Sequence, residues 1–173
     1  GCENGSSSLE SQGTVNRKAV IKLRISNAGL KVVGAEGHVG TCKIHKIEED
    51  CINVPKGNTA DINFRLIGWK DWNFSRMQLV HEPSDKLDFN KQEGFNTNMI
   101  KDFYVMVNGE EREPNSDGII DLKGMEDGRE YILHDKNQLK QNYRYQIEVC
   151  EVKEDPADED NCEPSDPRLE NEG

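Results

Sequence analysis

The sequence predicts an all-β protein, an antiparallel β-sandwich of about eight or nine short strands. Short segments alternate apolar and polar residues at a period of two, most clearly Tyr143–Val149, in which every odd position is large and apolar. Turn-forming residues recur between these segments, and no stretch sustains the apolar period of 3.6 that an amphipathic helix requires. The sequence as given also lacks a run of about 18 apolar residues, so no bilayer-spanning segment is predicted.

The first predicted strand covers 19–25, where Ala19, Ile21, Leu23 and Ile25 share one face. A short apolar run follows at 30–33, and strand patterns resume at 39–47, 61–66, 74–80, 103–107, 118–122, 131–133 and 143–149. Asn108-Gly109 predicts a type I′ hairpin turn into a short, charged edge strand at 110–114. Residues 85–101 give no decisive pattern. This series of strands favours an immunoglobulin-like sandwich.

Composition divides the chain into three parts: a flexible tether at 1–14, the sandwich domain at 15–152, and an acidic, proline-containing segment at 153–173. The net charge is −11, and the residues after Cys150 contribute −8 of it, from ten acidic residues against Lys153 and Arg168. This acidity predicts repulsion from anionic lipid surfaces and from nucleic acid, so no nucleic-acid partner is expected.

Five cysteines stand at positions 2, 42, 51, 150 and 162. Cys42 with Cys51 and Cys150 with Cys162 are predicted to form disulfides, each worth roughly 2–4 kcal/mol. Cys2 remains, followed by the polar, serine-rich segment 3–8. This N-terminus resembles that of a mature bacterial lipoprotein, which implies a lipid on Cys2 and a place in the cell envelope, in the periplasm or at the outer membrane. The alternative is an ordinary free thiol in a flexible tail.

The C-terminal third carries a series of short motifs: Asp135, Asn137, Tyr143, Tyr145, Ile147, Val149, Asp155-Pro156, Glu163-Pro164, Asp166-Pro167-Arg168-Leu169 and Asn171. Over residues 130–171 this order resembles the ending of small exported bacterial β-sandwich domains, such as the DP-EP family. The resemblance implies an immunoglobulin-like or cupredoxin-like sandwich without a known activity, and no functional residues are carried over. Within this pattern, a Cys150–Cys162 disulfide would tie the last segment to the sheet.

Trp69, Trp72 and Phe74 form the strongest candidate binding cluster, since neighbouring aromatic rings can stack on a sugar or anchor a protein partner. The competing interpretation is that at least one tryptophan fills the core between the sheets, and the sequence does not indicate which.

Two metal sites are weaker candidates. Asp155, Asp158, Asp160 and Glu163 supply oxygen ligands for calcium on one loop, but they lack the spacing of an EF-hand and would also suit a solvated tail. A cupredoxin-like copper site would draw on His38, Cys42 and His45, although neither histidine nor methionine lies near Cys150. Ordinary surface histidines are the alternative.

No catalytic motif is present: the sequence has neither a Gly-x-Ser-x-Gly elbow, nor His-Glu-x-x-His, nor a phosphate-binding glycine loop. The sequence therefore predicts a non-enzymatic, lipid-anchored envelope domain that acts as a binding or structural module, with a protein or a glycan as its partner. The alternatives are a carbohydrate-binding domain that uses Trp69 and Trp72, and a cupredoxin-like metal protein.

Overall fold

A computed structural model describes residues 15–37, 51–82, 85–90, 100–165 and 168–173. These residues contain twelve strands and no helix: β1 (Asn16–Ser26), β2 (Gly29–Gly37), β3 (Ile52–Val54), β4 (Thr59–Gly68), β5 (Trp72–His81), β6 (Phe103–Val107), β7 (Glu110–Arg112), β8 (Ile119–Asp121), β9 (Glu130–Asp135), β10 (Lys140–Glu151), β11 (Cys162–Ser165) and β12 (Arg168–Glu172). No helix in this part of the chain could therefore span a membrane.

The strands form two sheets that pack as a sandwich, which confirms the predicted class. Sheet A has the order β2-β1-β4-β9-β6-β7, and sheet B has the order β3-β12-β10-β5-β8, with β11 also paired to β10. The predicted number of strands was too low, and both sheets are mixed because β1 pairs with β4, and β12 with β3, in parallel. The parallel pair β1–β4 arises because the chain passes through β3 of sheet B before it returns to sheet A. Local apolar alternation does not encode this direction.

The core lies between the inward faces of the two sheets. As predicted, Tyr143, Tyr145, Ile147 and Val149 of β10 all point inward, and each is at most 1% exposed. Within sheet A, Phe64 stacks on Tyr131 at 5.0 Å, and across the core Phe74 of sheet B meets Tyr131 edge-on at 4.8 Å. Large apolar side chains buried in this way contribute roughly 1.5–3 kcal/mol each, so this layer supplies most of the driving force for folding.

The turn at Asn108-Gly109 confirms the predicted hairpin, since both residues have positive φ angles, of 52° and 79°. It leads into β7, the short edge strand of sheet A. β3, β11 and β12 had not been predicted as strands. The predicted tether at 1–14 and the predicted strand at 39–47 lie outside the described residues.

The outer faces of the two sheets differ. On sheet B the segment 85–90 lies against the strands: the Gln78 side chain, 0% exposed, accepts a 2.8 Å hydrogen bond from the backbone N–H of Asp88, and the Arg76 guanidinium lies 4.2 Å from the Phe89 ring. On sheet A the outward side chains of β1, β6 and β9 include Lys18, Met106 and Ile132, which are exposed. Among the described residues, the segment 85–90 covers part of sheet B, whereas outward side chains of sheet A are open to solvent.

Candidate functional site

A row of four outward side chains crosses four neighbouring strands of sheet A. Lys18 on β1 lies opposite Asp61 on β4, Asp61 lies opposite His134 on β9, and His134 lies opposite Tyr104 on β6. The Lys18 ammonium is 3.4 Å from the Asp61 carboxylate, and His134 Nδ1 is 2.7 Å from Asp61 Oδ1. The Tyr104 ring stacks on the imidazole with 4.7 Å between centroids and 16° between planes. The strand register thus aligns a cation, a carboxylate, an imidazole and an aromatic ring.

Asp61 is the electrostatic centre of this row. Partial burial acts to raise the pKa of its carboxyl group, but hydrogen bonds from Asn16 and His134, the charge on His134 and a hydrogen bond from Lys18 together hold the pKa below its ordinary value. The carboxylate is therefore ionised at neutral pH, and it orients the imidazole through Nδ1. The described residues provide no partner for Nε2 of His134, so this nitrogen is available to a ligand.

A cleft of about 320 Å³ opens beside the row. It is lined by Asn16, Thr59, Ala60, Asp61, Tyr104, His134, Asp135 and Lys136. The Thr59 hydroxyl donates a 2.9 Å hydrogen bond to Asn16 Oδ1, so it is held by a neighbour rather than by the imidazole. The Lys136 ammonium lies 5.4 Å from the centre of the Tyr104 ring. An aromatic wall with polar groups of both charges suits hydrogen bonding to a polar ligand.

A second depression of about 410 Å³ adjoins the cleft and shares His134 with it. Its lining includes Met106 and Ile132, which are 45% and 41% exposed. Exposed apolar side chains next to oriented polar groups are typical of a contact surface.

Three cations on the other half of this outer face form what we term the basic cluster: Lys22, Arg24 and Lys31. Arg24 and Lys31 lie directly opposite each other on β1 and β2, and Lys22 lies opposite Arg65 on β4. Arg65 pairs with Glu130 at 3.4 Å, whereas the basic cluster forms no ion pair within the part of the chain that the structure describes. Like charges placed opposite each other in a sheet are destabilising.

The predicted aromatic cluster is divided between core and surface. Trp72 and Phe74 are 5% and 2% exposed, whereas Trp69, on the turn between β4 and β5, is 42% exposed. The two indole rings meet at 5.7 Å with a tilt of 40°. The expectation that at least one tryptophan fills the core is therefore confirmed for Trp72, and Trp69 alone of the three offers its ring to a ligand.

The acidic residues predicted to bind calcium do not converge. No three of Asp155, Asp158, Asp160 and Glu163 bring carboxylate oxygens within 4.8 Å of one another. Asp155 instead accepts a hydrogen bond from the backbone N–H of Ala157, and Asp160 pairs with Lys153 at 2.8 Å. These contacts organise the loop itself.

An adjacent pocket of about 420 Å³ is lined by Asp71, Glu151, Val152, Lys153, Glu154, Asp158, Glu159 and Asn161.

The Cys150–Cys162 disulfide is confirmed, with Cα atoms 4.1 Å apart on the paired strands β10 and β11. Glu148 lies beside it, but the two sulfurs are bonded to each other and provide no thiolate ligand for a metal. Cys51 is also disulfide-bonded. Its predicted partner Cys42, the proposed lipid attachment at Cys2, and His38 and His45 of the copper hypothesis lie outside the described residues.

A buried polar node, which was not predicted from the sequence, lies at one end of the sandwich. Asp135 Oδ1 accepts hydrogen bonds from the backbone N–H of Asn137 and from the side-chain amide of Asn171, at 2.9 and 2.8 Å. All three residues belong to the C-terminal series of short motifs, from which only a strand and its flanking turns were predicted. The available signal was the order of these polar residues. The hydrogen bond from Asn171 attaches β12 to the rest of the sandwich.

No protein-family model matches this chain, and a search of curated proteins found no significant match.

Proposed function

We propose that this chain is a non-enzymatic binding module of the bacterial cell envelope, attached to a membrane through a lipid on Cys2. Three of the five cysteines, Cys51, Cys150 and Cys162, are in disulfides. Stable disulfides are favoured in oxidising compartments outside the cytosol, which supports an exported location. The polar segment after Cys2 would then link the sandwich to the membrane.

The binding surface in this proposal is the outer face of sheet A. The observation that carries it is the row of Lys18, Asp61, His134 and Tyr104, because it fixes an imidazole and an aromatic ring at the wall of an open cleft. A nucleophilic mechanism would require a hydroxyl or thiol hydrogen-bonded to the imidazole. The Thr59 hydroxyl donates to Asn16 instead, which supports binding rather than catalysis.

The test of this surface uses the full chain with Cys2→Ser, which removes the proposed lipid. His134→Ala and Tyr104→Ala are compared with Lys70→Ala and Val152→Ala, which change exposed residues away from this face. We expect saturable binding to isolated envelopes of the source bacterium, reduced several-fold by the first two changes and unaffected by the controls. Equal binding by all four variants would refute the assignment of this face as the binding surface.

The attachment is tested separately, by the mass of the native protein and its partition into detergent. A lipid-sized mass increase that Cys2→Ser removes is expected. An unmodified Cys2 in the native protein would refute the lipid attachment, and it would not affect the hypothesis that sheet A carries the binding surface.

A carbohydrate-binding module is the second candidate, and the exposed ring of Trp69 favours it. Glycan-array binding that is lost in Trp69→Ala and kept in His134→Ala would select this function instead.

A further inference from the structure

We propose that the basic cluster docks on the anionic surface of a phospholipid bilayer, so that the β2 edge of sheet A lies against the membrane to which the protein is attached. The proposal deepens the function above and rests on it for the nearby membrane. Its physical basis is the unusual charge arrangement on β1, β2 and β4.

Five outward cations lie on β1, β2 and β4: Lys18, Lys22, Arg24, Lys31 and Arg65. Lys18 is paired with Asp61 and Arg65 with Glu130, which leaves the basic cluster uncompensated within the described ranges. The positive charges of Arg24 and Lys31 face each other across two strands, an arrangement that costs stability in the isolated protein. An anionic partner would attract both charges, so the arrangement that destabilises the isolated protein would stabilise the complex.

Among the residues that the structure describes, two anionic groups lie near β2. Glu36 is exposed on β2 opposite Val20, and the Glu163 carboxylate lies near Gly29, where β2 begins. The residues after Cys150 carry −8 of the net charge of −11. The two strands of this segment, β11 and β12, belong to sheet B. Because β11 contacts β2, part of the acidic segment lies beside the basic cluster. Screening over a Debye length of about 8 Å at physiological salt reduces its repulsion of an anionic surface without removing it.

An apolar residue stands among the cations. Lys22 pairs with Gly34, and the next residue, Leu23, pairs with Val32, so Val33 is the extra residue of a β-bulge. Its side chain is 46% exposed. A bulge on an edge strand redirects a side chain out of the regular ladder. Cations that flank an exposed apolar group match the boundary between headgroups and acyl chains.

A bilayer fits this surface better than a soluble polyanion because of the position of β1. Asn16 begins β1, and the 13 residues from Glu3 to Val15 can span at most roughly 45 Å between Cys2 and this strand. A lipid on Cys2 would hold the basic cluster at a high effective concentration next to the headgroups, so a modest attraction per cation suffices.

The experiment measures sedimentation of the full chain with Cys2→Ser on phosphatidylcholine vesicles with and without phosphatidylglycerol. We expect binding to the anionic vesicles only, and its loss at high salt. The triple variant Lys22→Gln, Arg24→Gln, Lys31→Gln should bind roughly tenfold more weakly or worse. The matched control, Lys56→Gln, Lys70→Gln, Lys101→Gln, removes the same charge from exposed positions elsewhere and should bind like the parent.

Two further measurements complete the test. Val33→Asp should also weaken binding to anionic vesicles. The cluster variant should unfold at the same denaturant concentration as the parent or a higher one, because it relieves like-charge repulsion, so that lost binding cannot be attributed to misfolding.

Equal binding by the cluster variant and its control would overturn the proposal. So would equal binding to neutral vesicles, or a clear preference for soluble polyphosphate over anionic vesicles. Because the protein in this assay carries no lipid, vesicle binding with an unmodified native Cys2 would refute the attachment alone, whereas a lipidated Cys2 without vesicle binding would refute the docking alone.

Discussion

The side-chain amide of Asn171 donates a 2.8 Å hydrogen bond to Oδ1 of Asp135 and so joins β12 of sheet B to the end of β9 in sheet A. Both side chains are 1% exposed. Asp135 Oδ2 and Asn171 Oδ1 are buried without a hydrogen-bond partner. A protonated Asp135 supplies the missing donor, since its O–H can point toward the amide oxygen while the amide N–H bonds to the other carboxyl oxygen.

The stability of the fold should decrease as pH rises from about 4 to about 7. Burial, assisted by the nearby Asp102 carboxylate, raises the pKa of Asp135 to about 7 against the opposing hydrogen bonds from Asn137 and Asn171. Between the ordinary pKa of 3.8 and this value the folded state binds more protons than the unfolded state, so the stabilisation is complete below about 4 and is lost through about 7. The full effect is on the order of 4 kcal/mol. Denaturant unfolding at several pH values measures it.

Asp135→Asn should flatten this profile, because the amide cannot ionise and can pair with Asn171 at every pH. Asp158→Asn, at an exposed loop position, is the matched control and should retain the slope. Asp61 does not contribute to this slope. Because its pKa is lowered from the ordinary value of 3.8, its effect on stability changes only below about pH 4. A parent protein with constant stability across this range would contradict the assignment of the proton to Asp135.

The two tryptophans should respond differently to truncation. Trp72 is 5% exposed and packs in the core, so Trp72→Ala should lower the free energy of unfolding by roughly 3–5 kcal/mol. Trp69 is 42% exposed, and Trp69→Ala should change it by less than about 1 kcal/mol. Chemical denaturation followed by circular dichroism measures both. Equal destabilisation would show that Trp69 has a structural role.

The alternation of residues along each strand was sufficient to predict the sandwich, β10 and the hairpin at Asn108-Gly109, because these depend on neighbours in sequence. The pairing of β1 with β4 was not predictable in this way, since it depends on a path through the other sheet. The same limit applies to the site. Lys18, Asp61, His134 and Tyr104 are brought together by strand register, and a single polar residue on an outward face carries no sign of what lies opposite it.

Asn137 should be difficult to replace. Its φ angle of 48° lies in the left-handed region, its side-chain N–H groups donate to the carbonyls of Pro55 and Asn58 at 2.9 and 3.0 Å, and its Oδ1 accepts from the backbone N–H of Gly173 at 2.8 Å. Asn137→Ala loses these bonds and adds backbone strain, whereas Asn137→Gly loses only the bonds. We expect both to destabilise by roughly 2–4 kcal/mol, with alanine the worse of the two. Thermal unfolding of the two variants tests this order, which a purely side-chain effect would not produce.

Removal of the disulfide between β10 and β11 should weaken the attachment of the acidic segment more than the core. Cys150 and Cys162 are 12 residues apart, and closing a loop of this size stabilises a protein by about 3 kcal/mol. The double variant Cys150→Ala, Cys162→Ala is preferable to a reductant, because a reductant would also open the disulfide of Cys51. Amide hydrogen exchange should increase first in β11 and least in the paired strands β5 and β10, since those strands are also held by the buried ladder from Tyr143 to Val149. Uniform acceleration across both sheets would mean that the disulfide supports the whole sandwich rather than its last segment.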